Sequence, residues 1–188
     1  TKETDLLSPD KLVESIDAIV LAGGSAFGLD ASSGVMDCLR SQNRGFDTGA
    51  IKVPLVPSAI LFDLKNGGFK DWKINPYSDI GRDAFLNVSE NLEIGSVGAG
   101  CGATTSVVKG GLGTSSIFYQ NRIKVGALVA VNSVGSPCFP GTNILFSDFY
   151  CKDKEINFEI PKKSSLINPT KLLTGEATTL GIVCTNLD

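Results

Sequence analysis

The 188 residues carry 17 Lys and Arg against 20 Asp and Glu, a formal net charge of −3, and no histidine. The length suits one domain with a sizeable core, and 42% hydrophobic against 20% charged residues is a globular rather than a disordered mixture. The acidic balance argues against nucleic acid or anionic lipid as a partner, no apolar run approaches the ~18 to 20 residues of a membrane helix, and Lys2, Glu3 and Asp5 stand where a signal peptide needs apolar residues.

In chain order, Ser8-Pro9-Asp10 before Lys11 to Ile16 reads as an N-cap, a proline at the first helical position and a short helix. Asp17 to Ala22 is a nearly continuous apolar run, the form of a buried strand. Gly23-Gly24-Ser25 follows, then a helix over about Ala26 to Gln42 with Phe27, Ala31, Val35, Cys38 and Leu39 on one face. The spacing of Gly23, Gly24 and Gly28 is not the G-x-G-x-x-G of a dinucleotide site. Phe27 also stands where a nucleophile elbow needs its last glycine. Two readings stay open for this turn: a tight strand-to-helix junction, or backbone N–H groups facing a ligand oxygen or carboxylate.

Pro54 and Pro57 make Val53 to Pro57 an edge strand or extended loop leading into the apolar run Ala59 to Leu64. Asn66-Gly67-Gly68 is a turn and Asp71 to Pro76 a loop. Tyr77 to Leu92 is predicted helical, with Ile80, Ala84, Phe85 and Val88 on one face. Ile94 to Thr105 is glycine-rich, with Gly95, Gly98, Gly100 and Gly102, which allows close backbone approach. Lys109 precedes Gly110-Gly111 instead of following a glycine loop, so this is not a phosphate-binding P-loop. Ser115 to Tyr119 and Ile123 to Val134 read as strands joined by a turn at Asn121-Arg122. Asn132 closes the apolar run Val125 to Val131, as a turn cap or as a buried amide that must find partners. Phe149 to Thr170 is charged and linker-like, before a last strand over Thr178 to Thr185.

The five cysteines, Cys38, Cys101, Cys138, Cys151 and Cys184, contain no C-x-x-C pair and fit free thiols in a reducing cytoplasm. The missing histidine removes the usual base of Ser-His and Cys-His hydrolases and the commonest ligand of catalytic zinc. Amide or ester chemistry here needs a different base. The chain begins at Thr1, has Met36 as its sole methionine and stops at Asp188 inside a strand, so both ends read as cuts in a longer gene product.

Several blocks together, DAIVLAGGSAFGLDASSGVM (17–36), VPLVPSAILFDL (53–64), VGAGCGATT (97–105), KGGLGTSS (109–116), VGALVAVNSVG (125–135) and TTLGIVCTN (178–186), resemble one family. It is the self-processing L-aminopeptidase/D-amidase/D-esterase group, which includes β-peptidyl aminopeptidases and 6-aminohexanoate-oligomer hydrolases. The resemblance implies an α+β fold, an αββα sandwich like that of N-terminal-nucleophile hydrolases, present as an incomplete chain. It implies one domain over 1–188, a linker over 149–177 before the cleavage site, and the start of a small subunit at 178–188.

In such enzymes a precursor cuts itself before a Ser or Thr, whose freed α-amine, with a reference pKa near ~7.7 to 8.0, then serves as base. That answers the missing histidine. The resemblance places the nucleophile on Thr178, with Thr179 as the alternative, and autocleavage between Ala177 and Thr178. It places an active-site lysine on Lys109 and an oxyanion-site amide on Asn132. Gly24 and Ser25 are expected to line the substrate pocket, and Phe62 stands where some members have a tyrosine. No cofactor and no metal are implied. The implied partners are a small amide or peptide substrate and further copies of the chain, as a homo-oligomer of processed heterodimers in the cytoplasm. Two departures stand out. Ala177 replaces the asparagine or glycine usual before the cut, and the family's acidic residues downstream of the nucleophile and its first strands lie outside this chain. An acyltransferase on the related fold and a non-processing binding homologue remain the alternatives.

Overall fold

The computed structural model describes residues 1–106, 108–120, 122–139, 142, 144–149 and 176–187. The linker expected over 149–177, and Cys151 within it, lies almost wholly outside the described residues.

A 3-10 turn over Thr4–Leu7 opens the chain. The helix expected over Lys11 to Ile16 is not formed. Ser8 closes turns on either side instead, donating its N–H to Asp5 O and accepting from the Lys11 N–H. Leu12 is fully exposed, so this segment has no buried face, and a helix this short is marginal without packing. Strand β1 (Val20–Ala22) pairs in parallel with β4 (Ser58–Ile60), and Lys2 bridges antiparallel to Ser58. The apolar run ending at Ala22 thus yields three strand residues.

After β1 the chain turns through Gly24, whose φ of 79° is a left-handed value that glycine adopts at no steric cost. A 3-10 turn (Ser25–Asp30) then feeds helix α1 (Ala31–Ser41). Ala31, Val35, Cys38 and Leu39 are buried as the periodicity predicts. Phe27 is not on that face, because the 3-10 turn rotates it outward to meet Trp72 edge-on at 4.9 Å. Helix α2 (Tyr77–Leu86) stops six residues short of the expected Leu92, and Val88 is exposed. The two helices cross closely where glycines meet: a Cβ at Gly34 would strike the Ser78 carbonyl, and one at Gly81 the Ala31 carbonyl. Between α1 and β4 lies a two-residue ribbon of β2 (Phe46–Asp47) and β3 (Lys52–Val53), with both prolines outside strands.

The longest sheet follows the predicted pattern. Strand β5 (Gly111–Tyr119) pairs antiparallel with β6 (Ile123–Asn132), which pairs antiparallel with β7 (Thr178–Thr185). One core cluster joins this sheet to β1 and β4 through Leu61, Ala99, Ala103, Ala130 and Leu180. A second joins α1 to the strand layer through Val35, Leu39 and Val56. The architecture is mixed helix and sheet, of the α+β kind.

Candidate functional site

Antiparallel order brings the start of β5, the end of β6 and the start of β7 to one end of the sheet. Asn132 and Thr178 are direct register partners there. Partners in a pleated sheet project to the same face with Cβ atoms roughly 4.5–5.5 Å apart. Ala130 and Leu180, two residues inward on that face, are both buried in the core. Thr178 therefore lies half-buried at the rim of the core, beside an asparagine that is 0% exposed.

The Asn132 amide is held on both sides. Its Oδ1 accepts the Thr104 N–H at 3.0 Å, and its Nδ2 donates to Phe62 O at 2.8 Å and to Glu176 O at 3.4 Å. It ties together the 98–104 loop, the end of the β4 segment and the residues entering β7. It is a buried, bonded amide rather than a turn cap. Glu176 is held a second time, by an ion pair from Lys65 Nζ to its Oε1. Ala177, between this anchored residue and Thr178, is exposed.

Lys109 is exposed and bridges Thr104 just before β5, and its Nζ lies 3.4 Å from Cys101 O. It thus shares the 98–104 loop with Asn132. Phe62 enters through its backbone carbonyl, with its ring half-buried. Gly24 and Ser25 sit on the far side of Asp63: the Gly24 N–H donates to Asp63 Oδ1 at 2.7 Å, and the Ser25 N–H to Leu61 O at 3.0 Å. Of the two readings for the glycine turn, the N–H does face a carboxylate, and that carboxylate belongs to the chain itself.

Two residues went unnoticed in the sequence. Asp63 is only 9% exposed, with Gly23 and Gly102 so close that a Cβ on either would strike its Oδ2. Tyr77 lies across Gly24, where a Cβ would run into the phenol ring. Burial first, then the neighbouring Asp63 and Cys101, push the Tyr77 phenol above its ordinary value, so it stays protonated. The legible signal for Asp63 was a lone acid inside the apolar run Ala59 to Leu64. Both residues line a cleft of about 940 Å³ that opens between β1, α1, α2 and the 98–102 loop. Among the described residues no group of His, Cys, Asp and Glu is arranged to hold a metal, and no helix is long and apolar enough to cross a membrane.

A threonine, a buried asparagine and a lysine thus stand at one end of the sheet in a mixed fold whose sequence has no histidine. The chain belongs to peptidase family S58, whose pattern matches residues 1–188. It is 42% identical over 144 residues to an uncharacterised aminopeptidase of Mycobacterium tuberculosis, covering 77% of this chain and 41% of that protein. An uncharacterised aminopeptidase of Mycobacterium leprae is 38% identical over 99% of this chain and 53% of its own length. The 6-aminohexanoate-oligomer endohydrolase of Paenarthrobacter ureafaciens is 32% identical over 63% of this chain and 34% of its own. The chain spans about half the length of these relatives, or less.

Proposed function

We propose that this chain is part of a self-processing hydrolase of peptide or amide bonds, built as an αββα sandwich and using Thr178 as its nucleophile. The observation that carries the reading is the pairing of Thr178 with the buried Asn132 at the sheet end next to Lys109. Family membership and relatives named as aminopeptidases support the reaction class.

In the first step Thr178 Oγ1 attacks the Ala177 carbonyl carbon. The Ala177–Thr178 C–N bond breaks, the hydroxyl proton ends on the departing nitrogen, and Ala177 is left as an ester on Thr178. Water hydrolyses that ester, giving an Ala177 carboxylate, a free hydroxyl and a free α-amine. The amine then takes the hydroxyl proton when Thr178 attacks a substrate amide and returns it to the leaving amine. In the uncut chain one Asn132 N–H points to Glu176 O. Departure of the Glu176-Ala177 end frees that N–H for the oxyanion of a substrate carbonyl. The Lys109 ammonium adds positive potential beside the developing charge. Free thiols at Cys38, Cys101, Cys138 and Cys184 suit a cytoplasmic setting, and the processed product is read as a heterodimer that assembles further.

The test is intact mass of the complete gene product after incubation, beside Thr178→Ala and Ala177→Asn. Two fragments, the smaller beginning at Thr178, and an intact Thr178→Ala protein are the expected result. An uncut parent that Ala177→Asn does not rescue overturns the reading. With the α-amine as base, kcat/KM rises with pH through about 7.7 to 8.0, because only the neutral amine accepts the proton.

A further inference from the structure

The segment entering β7 is held at Glu176 in two ways. Its backbone carbonyl accepts from Asn132 Nδ2 at 3.4 Å, and the same nitrogen donates to Phe62 O. Its carboxylate pairs with Lys65 Nζ, which belongs to the turn that follows Phe62. Lys65 Nζ also stands 6.0 Å from the centre of the Phe62 ring, so an ammonium, an aromatic ring and the Asn132 amide border one place. The Glu176 side chain is 12% exposed and that of Lys65 is 60% exposed, so the carboxylate is enclosed and the ammonium reaches it from the solvent side. An enclosed carboxylate keeps its charge where a cation meets it.

We propose that Lys65 selects substrates whose acyl residue is acidic, with glutamyl amides and peptides that begin with glutamate as the class that fits. The proposal rests on the reading of Thr178 as nucleophile and of Ala177–Thr178 as the bond that is cut. When that end departs, Asn132 Nδ2 and Lys65 Nζ both lose the residue they shared. A substrate that sets its scissile carbonyl on the freed Asn132 N–H puts its own acyl residue where Glu176 stood. A side chain as long as that of Glu176 then carries a carboxylate from the Asn132 amide to the Lys65 ammonium. Glutamine has the same length without the charge, and a lysine side chain meets a like charge there. Lys65 touches the substrate side chain and takes no part in breaking the bond. Because Lys65 is exposed, the selectivity is modest and falls with salt.

The experiment uses the complete gene product, with its processing followed by intact mass, and compares kcat/KM for the α-p-nitroanilides of glutamate, glutamine and lysine. The glutamyl substrate is expected to exceed the glutaminyl one about three- to fivefold at low salt, the ratio falling toward unity in about 0.5 M sodium chloride. Lys65→Arg keeps the preference, Lys65→Met removes it and Lys65→Glu turns it toward the lysyl substrate. The readout is a ratio within one protein, so a smaller folded or processed fraction does not move it. If no anilide is turned over, calorimetric binding of the α-amides of glutamate and glutamine to the processed protein decides on the same criterion. If a Lys65 variant is not processed, the substrate comparison in the parent decides. Equal values for the glutamyl and glutaminyl substrates, or a preference that persists in Lys65→Met, overturn the proposal and leave the self-processing reading standing. A gene product that stays uncut overturns both, and the mass spectrum tells the two failures apart.

Discussion

Asn132 and Asp63 are both buried polar side chains placed near the ends of apolar runs, and the protein treats them in opposite ways. Asn132 is enclosed, with bonds from its amide to Thr104, Phe62 and Glu176. Asp63 has Oδ1 bonded to the Gly24 N–H and Oδ2 set close against the backbones of Gly23 and Gly102 at the wall of the cleft. A fully bonded buried amide fixes the segments it joins, whereas close packing against glycine backbones fixes only the side chain that they enclose. The sheet end is thus held by side-chain bonds to three segments, and the cleft wall by close approach of backbones.

The sharpest way to break this contrast is Asn132→Leu. It removes the bonds from Asn132 to the Thr104 N–H and to the Phe62 and Glu176 carbonyls in a fully buried place, so stability should fall by on the order of 3–5 kcal/mol in urea unfolding, with processing lost. A loss below about 1 kcal/mol would mean the network is not what holds the loop, strand and β7 together. Next in size is Gly81→Ala at the α1–α2 crossing. The new methyl meets the Ala31 backbone and should cost about 1–3 kcal/mol through a forced separation of the helices.

The Lys65–Glu176 pair probes the segment entering β7. Lys65 is 60% exposed, so the pair should add less than about 1 kcal/mol to stability. Its effect should instead appear in processing rate. Lys65→Glu slows the appearance of the Thr178 fragment several-fold, and adding Glu176→Lys restores it. Equal rates in all three proteins would mean that the anchor on Glu176 plays no part in presenting Ala177. The smallest effect is on Tyr77. Its phenol is raised in the folded chain, so the folded state holds the proton more tightly than the unfolded one. The associated stability is intact below pH 10 and is lost as pH rises from 10 through the folded value. Ultraviolet titration at 295 nm should show a component ionising above pH 10, and Tyr77→Phe should remove it.

Much of this was legible because some patterns are local. The alternating and apolar runs gave β6 to within two residues and β7 to the residue, since strand periodicity is carried by consecutive side chains. The α1 face was readable from Ala31 onward for the same reason. Lys11 to Ile16 failed because capping residues signal where a helix could start but not whether a core awaits it, and Leu12 finds none. Phe27 was misplaced because a 3-10 turn at the helix entry advances side chains by a different angle than an α-helix. The bonds from the Gly24 N–H to Asp63 Oδ1 and from the Ser25 N–H to Leu61 O join residues nearly forty apart, which no local pattern carries.

By itself the sequence determined the main strands and helices in their order and the absence of histidine, because these follow from composition and short-range pattern. Only the tertiary structure decided that Asn132 stands opposite Thr178 and that Lys109 closes on the same loop. It also decided that Asp63, a lone acid in an apolar run, lies between glycines from distant segments. Those facts depend on which strands become neighbours and how closely backbones approach. Burial and hydrogen-bond satisfaction set both across the whole fold, and no window of consecutive residues contains them.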